Sequence, residues 1–262
     1  VSGAGLRLDH VALAVRDAAA LLPVLVGRWC GVVIGGGIPP EAGFRGVQVR
    51  LGRGEEGMTV ELIEPWEPQH NDFLTRFLDA AGEGPHHLTF KVADVEAERD
   101  RLRGIGIEPV AMDFSDPSWR EMFVHPRDAH GPLIQIAQPG WEAASMTEVL
   151  AAAAEGVYGW GSPWWPPEAV SSEAVALEAR AAATVQRVVV VTPDPDRGRR
   201  FYRDVLGGDE HPAGPGRWDL VWPGGAIRLE AADVPRARID RLELTGPPPG
   251  TVEVGGACFV AE

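Results

Sequence analysis

Cysteine, long apolar runs and positive charge are what this sequence is short of. Its two cysteines, Cys30 and Cys258, stand far apart in 262 residues, a pattern that offers no disulfide framework and no zinc knuckle and leaves each thiol reading as buried and inert. No apolar run approaches the roughly 18 residues of a membrane span. The first five residues, Val1 to Gly5, carry neither the basic nor the apolar region of a secretion signal, so a soluble protein of the reducing cytoplasm is expected. Lys and Arg number 24 against 38 Asp and Glu, for a formal charge of −14. Without a basic stripe to neutralise phosphates, a nucleic-acid partner is not expected, and an acidic surface discourages anionic membranes. An anionic small molecule remains admissible, because a local cation or metal can outweigh the global field. What is present is a globular composition, 45% apolar and 24% charged, long enough for one large domain or two ordinary ones.

The chain repeats itself. Asp9-His10-Val11-Ala12-Leu13-Ala14-Val15 aligns with His86-His87-Leu88-Thr89-Phe90-Lys91-Val92, and Thr59-Val60-Glu61-Leu62-Ile63 aligns with Leu133-Ile134-Gln135-Ile136-Ala137. A beginning and an end that recur at nearly one offset mark two copies of a unit. Each copy reads as strand, helix and then strands. Helices are predicted over Asp17–Val26 and from Val95 to Arg103, and strands over His10–Val15, Val47–Leu51, Met58–Ile63, Glu108–Met112, Met122–His125 and Leu133–Ala137. The expected fold is therefore α+β, with paired βαβββ modules forming a cupped mixed sheet.

Residues 141–184 break the pattern. Met146–Glu155 and Ser171–Ala183 read as helices around a stretch holding Trp160, Trp164 and Trp165, a linker that packs between domains or lids a site. From Val185 a third unit begins, with Arg187 where His10 stands and Ala226–Glu230 where the Glu61 strand stands. A shortened fourth unit starts at Ile239, with Arg241 in the place of His87 and room for two strands in Thr251–Glu262. The predicted organisation is two tandem domains: 5–140, a linker over 141–184, and a shrunken copy over 185–262.

Side chains alternate across a strand, so His10, Glu61, His87 and Gln135 all project from the face opposite their helix-packed neighbours. Paired by a pseudo-twofold, the four converge inside the cup. Two imidazoles, a carboxylate and an amide oxygen form a first shell for one divalent ion, with positions left open, and suit Co, Zn, Mn, Ni or Fe(II) equally. The other histidines (His70, His86, His125, His130 and His211) have no repeat-matched partner and read as ordinary core or surface residues. Arg187 and Arg241 have no lone pair to offer a metal.

The stretches Leu8-Asp-His-Val-Ala-Leu-Ala-Val, Phe73-Leu-Thr-Arg-Phe-Leu, Gly84-Pro-His-His-Leu-Thr-Phe-Lys-Val-Ala-Asp and Phe123-Val-His-Pro-Arg-Asp-Ala-His-Gly-Pro-Leu-Ile-Gln resemble the vicinal-oxygen-chelate superfamily. That group includes glyoxalase I, methylmalonyl-CoA epimerase, extradiol dioxygenases and antibiotic-resistance proteins, and residues 6–139 look most like its methylmalonyl-CoA epimerase branch. The resemblance implies a metal-dependent isomerase or epimerase working through an enolate on a small carbonyl or acyl-CoA substrate, with Glu41 of Glu41-Ala-Gly-Phe44 as the base. It departs from the branch in two respects: Glu61 and Gln135 occupy each other's expected positions, and the branch does not need the extra C-terminal domain. Glu61 is then both ligand and candidate second base, since an amide accepts no proton. An Fe(II) extradiol-type dioxygenase and a non-catalytic binding or resistance protein are the alternatives. Lys91, Arg120 and Arg127 are the candidate cations for a CoA, and either a monomer or a homodimer is compatible.

Overall fold

In a computed structural model, residues 5–53, 56–140, 145–159, 161–170, 182–246 and 249–261 are described. The predicted helix over Ser171–Ala183 lies almost wholly outside them, as does Trp160. The first sheet takes β1 (Arg7–Ala14), β2 (Val32–Gly37), β3 (Phe44–Leu51) and β4 (Met58–Pro65), then, after α1 (Phe73–Ala81), β5 (Gly84–Lys91). Helix α2 (Val95–Gly104) leads to β6 (Val110–Asp113) and β7 (Trp119–Val124), and α3 (Pro126–Ala129) to β8 (Leu133–Pro139). The strand order is β2-β3-β4-β1-β5-β8-β7-β6, the same sequence of strands read outward from the middle in both directions, as two copies of one module require.

Helix α4 (Met146–Ala154) follows, and then the second sheet. It is formed by β9 (Thr184–Thr192), β10 (Asp209–Gly214) after α5 (Pro195–Arg199), β11 (Arg217–Trp222), β12 (Gly225–Ala231), β13 (Arg238–Thr245), β14 (Gly250–Val254) and β15 (Ala257–Ala261). Its order, β10-β11-β12-β9-β13-β15-β14, is that of the first sheet with one strand missing from the last module. The fold is thus α+β, two mixed sheets of 8 and 7 strands carrying tandem modules of one kind. No helix among the described residues is long and apolar enough to cross a membrane.

Local sequence explains the elements. Asp94 caps α2 by accepting from Glu96 N at 3.1 Å and Ala97 N at 2.9 Å, with acids in the first turn and Arg101 and Arg103 in the last. Ser145 and Glu148 form a capping box at the start of α4. Where an α-helix is expected over Asp17–Val26, the chain makes a 3-10 turn at Ala19–Leu21 and a π turn at Pro23–Arg28. Pro23 has no N–H to donate, Val24 and Val26 are β-branched, and the turn closes through Trp29 N to Val24 O at 3.1 Å. Strand β2 and helix α1 were not anticipated: Gly35-Gly36-Gly37 carries no strand signal, and α1 follows a loop rather than a repeat landmark.

The chain clusters into two compact units, each drawing on both sheets. One comprises Val1–His10, His87–Ala143 and Arg187–Arg241. Within it Phe90 meets Trp222 edge-on at 5.2 Å, and Arg101 pairs with buried Glu98 while donating to Val205 O at 2.7 Å. The other comprises Val11–His86, Ala144–Gln186 and Leu242–Glu262. There Trp29 stacks on Phe259 at 4.8 Å, and Trp165 fills the space that a side chain at Gly36 would occupy. Gly36 is thus glycine because an indole lies on its α-carbon.

Candidate metal site

His10 lies on β1 and is buried, 1% exposed. Its Nδ1 donates to Asp9 Oδ2 at 2.8 Å, and Lys91 Nζ pairs with the other Asp9 oxygen at 2.7 Å. Burial alone raises the pKa of Asp9, but the charge of Lys91 and the bond to His10 outweigh it and hold the carboxyl well below the usual carboxylate range. Asp9 is therefore an anion that fixes the imidazole tautomer, leaving Nε2 as the nitrogen directed away from it.

Thr89, fully buried on β5, places its hydroxyl 2.8 Å from His10 Nε2 and 2.6 Å from Gln135 Oε1. One hydroxyl proton cannot serve two acceptors, so this contact pair is satisfied only when Nε2 is protonated. A cation accepting the Nε2 lone pair removes that conflict and frees the hydroxyl for the amide oxygen. The His10 and His87 rings meet edge-on with centroids 5.9 Å apart, and Phe123 borders His87 at 6.1 Å.

Glu61 on β4 is buried and faces Gln48 of β3, its register partner, whose Nε2 donates to Glu61 Oε1 at 3.2 Å. His10, Glu61 and His87 are all buried, and each offers a ligand atom that lies within 4.8 Å of the other two. Two nitrogens and an anionic oxygen at that spacing, without thiolate, fit a divalent ion; which ion is left open by the donor set. His86, one residue from His87, packs instead against Phe73 and Phe77. Its pKa is lowered to about 4 by burial, against the opposing charge of Glu61, as an ordinary core histidine behaves.

Gln135 on β8 is buried, and its amide bridges two groups: Oε1 accepts from Thr89, and Nε2 donates to Glu121 Oε2 at 2.6 Å. Glu121 also accepts from Trp119 Nε1 at 2.8 Å. Sequence reasoning missed this carboxylate. The strand was expected to start at Met122, but β7 starts at Trp119 and pairs Phe123 with Gln135 and Glu121 with Ala137, so Trp119, Glu121 and Phe123 share the face of Gln135. The alternation of Trp119, Glu121 and Phe123 was the available signal.

Glu41 stands exposed in the turn between β2 and β3, with a positive φ of 56°. In the next residues Gly43, at φ 76°, lies so close to the Asn71 backbone that no side chain fits. Trp164 donates to Gly46 O at 2.9 Å and stacks on Arg45, whose guanidinium is held between the Trp164 and Trp66 rings at 4.0 and 4.3 Å. The Trp stretch of the linker is therefore packed on β2 and β3. Neither Cys30 nor Cys258 is in a disulfide, and both are half-buried rather than fully buried as expected.

In the second sheet the positions matching the ligands hold ion pairs. Arg187 and Arg228 both pair with Asp219, Arg228 bidentately at 2.7 and 2.8 Å. Arg241 makes a two-pronged pair with Glu230 at 2.8 and 3.2 Å. Guanidinium charge stands where the first sheet gathers lone pairs.

Residues 9–123 match the family model described as the Glyoxalase/Bleomycin resistance protein/Dioxygenase superfamily. Over 143 residues, 50% of this chain and 97% of the relative, the chain is 31% identical to the ethylmalonyl-CoA/methylmalonyl-CoA epimerase of Cereibacter sphaeroides. Among solved structures, a hypothetical protein from Staphylococcus aureus covers 98% of this chain and 99% of its own at 12% identity and a TM-score of 0.66, a likeness of fold alone. The methylmalonyl-CoA epimerase of Mycobacterium tuberculosis is 27% identical over 51% of this chain and 87% of its own, with a TM-score of 0.45.

Proposed function

The chain belongs to the glyoxalase/bleomycin resistance/dioxygenase superfamily, and from that premise we propose that it is a divalent-metal-dependent isomerase or epimerase acting through an enolate on a small carbonyl compound of the acyl-CoA thioester class. The observation that carries the reading is the buried group of His10, Glu61 and His87. These three would hold the ion, with Gln135 as a fourth ligand. A bound Co, Zn, Mn, Ni or Fe(II) ion would act as a Lewis acid toward a carbonyl oxygen.

The remaining work belongs to carboxylates. Epimerisation needs one base to take the α-proton and a group on the other side to return it. Gln135 cannot do so, but Glu121, hydrogen-bonded to it at 2.6 Å, can. In this reading Glu121 supplies the carboxylate that the exchange of Glu61 and Gln135 removed from the fourth ligand position. Glu61 remains a ligand, and Glu41, on its exposed turn, is the opposing base. Trp119 and Gln135 orient Glu121 through its two accepted hydrogen bonds.

The test is α-proton exchange. Methylmalonyl-CoA incubated in D2O with the metal-loaded protein should acquire deuterium at the α-carbon, read by mass spectrometry, and a His10→Ala/His87→Ala double variant should abolish it. Glu121→Gln should slow exchange by roughly a hundredfold, the usual worth of a general acid or base. Full metal loading with no exchange in the wild type would sink the isomerase reading; oxygen consumption would point to the dioxygenases of the same superfamily.

A further inference from the structure

Glu41 occupies a turn whose backbone is strained and closely tied. A φ of 56° puts it in the left-handed region, which a residue with a side chain adopts only where its surroundings impose it. Ala42 N closes the turn on Pro39 O at 3.3 Å, and Trp66 N donates to Gly43 O at 3.0 Å. Gly43 is pressed against the Asn71 backbone. Glu41 itself is exposed, so burial of its side chain is not what the strain serves.

The turn is gripped at its base by the linker. Gly37, the last residue of β2, faces Gly46 of β3, and Gly46 O accepts the indole N–H of Trp164 at 2.9 Å. The adjacent Arg45 pairs with buried Glu64, its register partner on β4. Its guanidinium lies between the Trp164 and Trp66 rings, 4.0 and 4.3 Å from their centroids. A planar guanidinium between two rings is a stiff joint. Trp66 thus holds the turn twice, by its N–H at Gly43 and by its ring at Arg45, and Trp164 closes the far side of the sandwich. Trp165 meets Trp164 edge-on at 6.0 Å and Tyr158 at 5.5 Å, an aromatic backing that restrains Trp164. Trp66 remains 37% exposed, so the sandwich lies at the surface beside the turn and not in the core.

We propose that Trp164 is a positioning residue for Glu41. By clamping Arg45 and Gly46 it fixes the start of β3, into which the turn runs, and so the side from which the Glu41 carboxylate reaches the α-carbon. The inference rests on the reading of Glu41 as the opposing base, and it gives a task to the tryptophan-bearing segment that joins the two sheets in the chain. In a two-base exchange, the epimer whose α-hydrogen faces Glu41 gives that proton to Glu41 and leaves the electron pair in the enolate. The opposite epimer gives its proton to Glu121. A carboxylate displaced by about 1 Å loses up to roughly a hundredfold in rate, so loosening the turn slows one epimer and spares the other.

The experiment follows deuterium entry at the α-carbon of each methylmalonyl-CoA epimer separately, at initial rates in D2O with the metal-loaded full chain. Amide exchange over residues 38–46 is followed alongside, without substrate. Trp164→Leu should speed amide exchange across the turn. It should also slow α-exchange of one epimer by roughly tenfold or more while leaving the other within about twofold, with metal content unchanged. The slowed epimer should be the one that Glu41→Gln slows. Trp164→Phe keeps a ring over Arg45 and loses only the bond to Gly46 O, so it should show the same one-sided loss in smaller measure, and it serves if Trp164→Leu fails to fold. Equal slowing of both epimers would mean packing alone and overturns the proposal, as does unchanged amide exchange over the turn, a result that needs no turnover. If the wild type exchanges neither epimer, or Glu41→Gln spares both, the base reading fails and takes the proposal with it. If Glu41→Gln is one-sided and Trp164→Leu is not, the base reading stands and only the proposal falls.

Discussion

At the scale of single residues, the candidate site depends on which nitrogen of His10 is free. Asp9 decides that by holding Nδ1, and a carboxylate behind a ligating imidazole typically contributes ten- to a hundredfold in metal affinity. Asp9→Asn is therefore expected to weaken metal binding by roughly that factor, measured by competition with a chelator of known affinity; an unchanged affinity would reject the positioning role. His86 gives a separate, pH-dependent prediction. Above pH 6.5 its ring is neutral folded and unfolded, and it contributes nothing to pH dependence. As pH falls from 6.5 toward about 4 the unfolded chain takes up a proton that the folded chain refuses, because burial holds the folded pKa down. Stability should thus decline through that window by up to roughly 3 kcal/mol, and level off with respect to this group below it. Urea unfolding at pH 7, 5.5 and 4.5 would show it, and His86→Phe, packed like its neighbours Phe73 and Phe77, should lose less over the same interval.

At the scale of elements, register governs what each strand contributes. Strand β7 matters because starting at Trp119 puts Glu121 beside Gln135; moving the pairing by one residue would turn the carboxylate to the other face. Strands β2 and β3 matter because their glycines admit the Trp segment. A methyl group at Gly36 would meet both the Trp165 ring and Gly46 O. Gly36→Ala is expected to cost about 1–3 kcal/mol through overpacking, detected as a lowered urea midpoint together with altered Trp fluorescence. A fully stable variant with unchanged fluorescence would mean that Trp165 does not rest on β2. The buried Glu64 adds to this anchoring, since it accepts from Ala18 N at 2.5 Å and pairs with Arg45 beneath Trp164.

At the scale of the whole molecule, duplication has produced two sheets with different chemistry at matching positions. The first gathers lone pairs; the second gathers guanidinium–carboxylate pairs centred on Asp219 and Glu230. A partly buried carboxylate between two arginines resists removal, because the cations left behind have lost their counter-charge. Asp219→Asn should accordingly lower stability by about 1–3 kcal/mol without changing metal content. Elemental analysis of protein prepared without chelators should find about one ion per chain rather than two, since among the described residues the buried donor set His10, Glu61 and His87 lies in the first sheet. That ion should be lost in His10→Ala/His87→Ala and kept in Asp219→Asn. Two ions per chain would show that the second sheet binds metal by some other route.

The sequence by itself determined the repeat, and through it the α+β class, the tandem modules and the burial of four polar residues, His10, Glu61, His87 and Gln135. Alternation along a strand is a local property, written in successive residues: His10 and His87 could be assigned a face from their neighbours Val11 and Leu88, and Glu61 and Gln135 from theirs. The strands at Met58, Leu133 and Gly225 and the helix at Val95 were legible for the same reason. What only the tertiary structure decided was non-local. That Thr89 sits against His10 and Gln135, that Glu121 answers Gln135 across β7 and β8, and that Arg7 and Arg120 line one cleft with Lys91 all depend on pairings between strands far apart in the chain. Strand β2 escaped notice because its glycines have no side chains to alternate; they are there for a tryptophan about 130 residues away, and no local pattern encodes a partner at that distance.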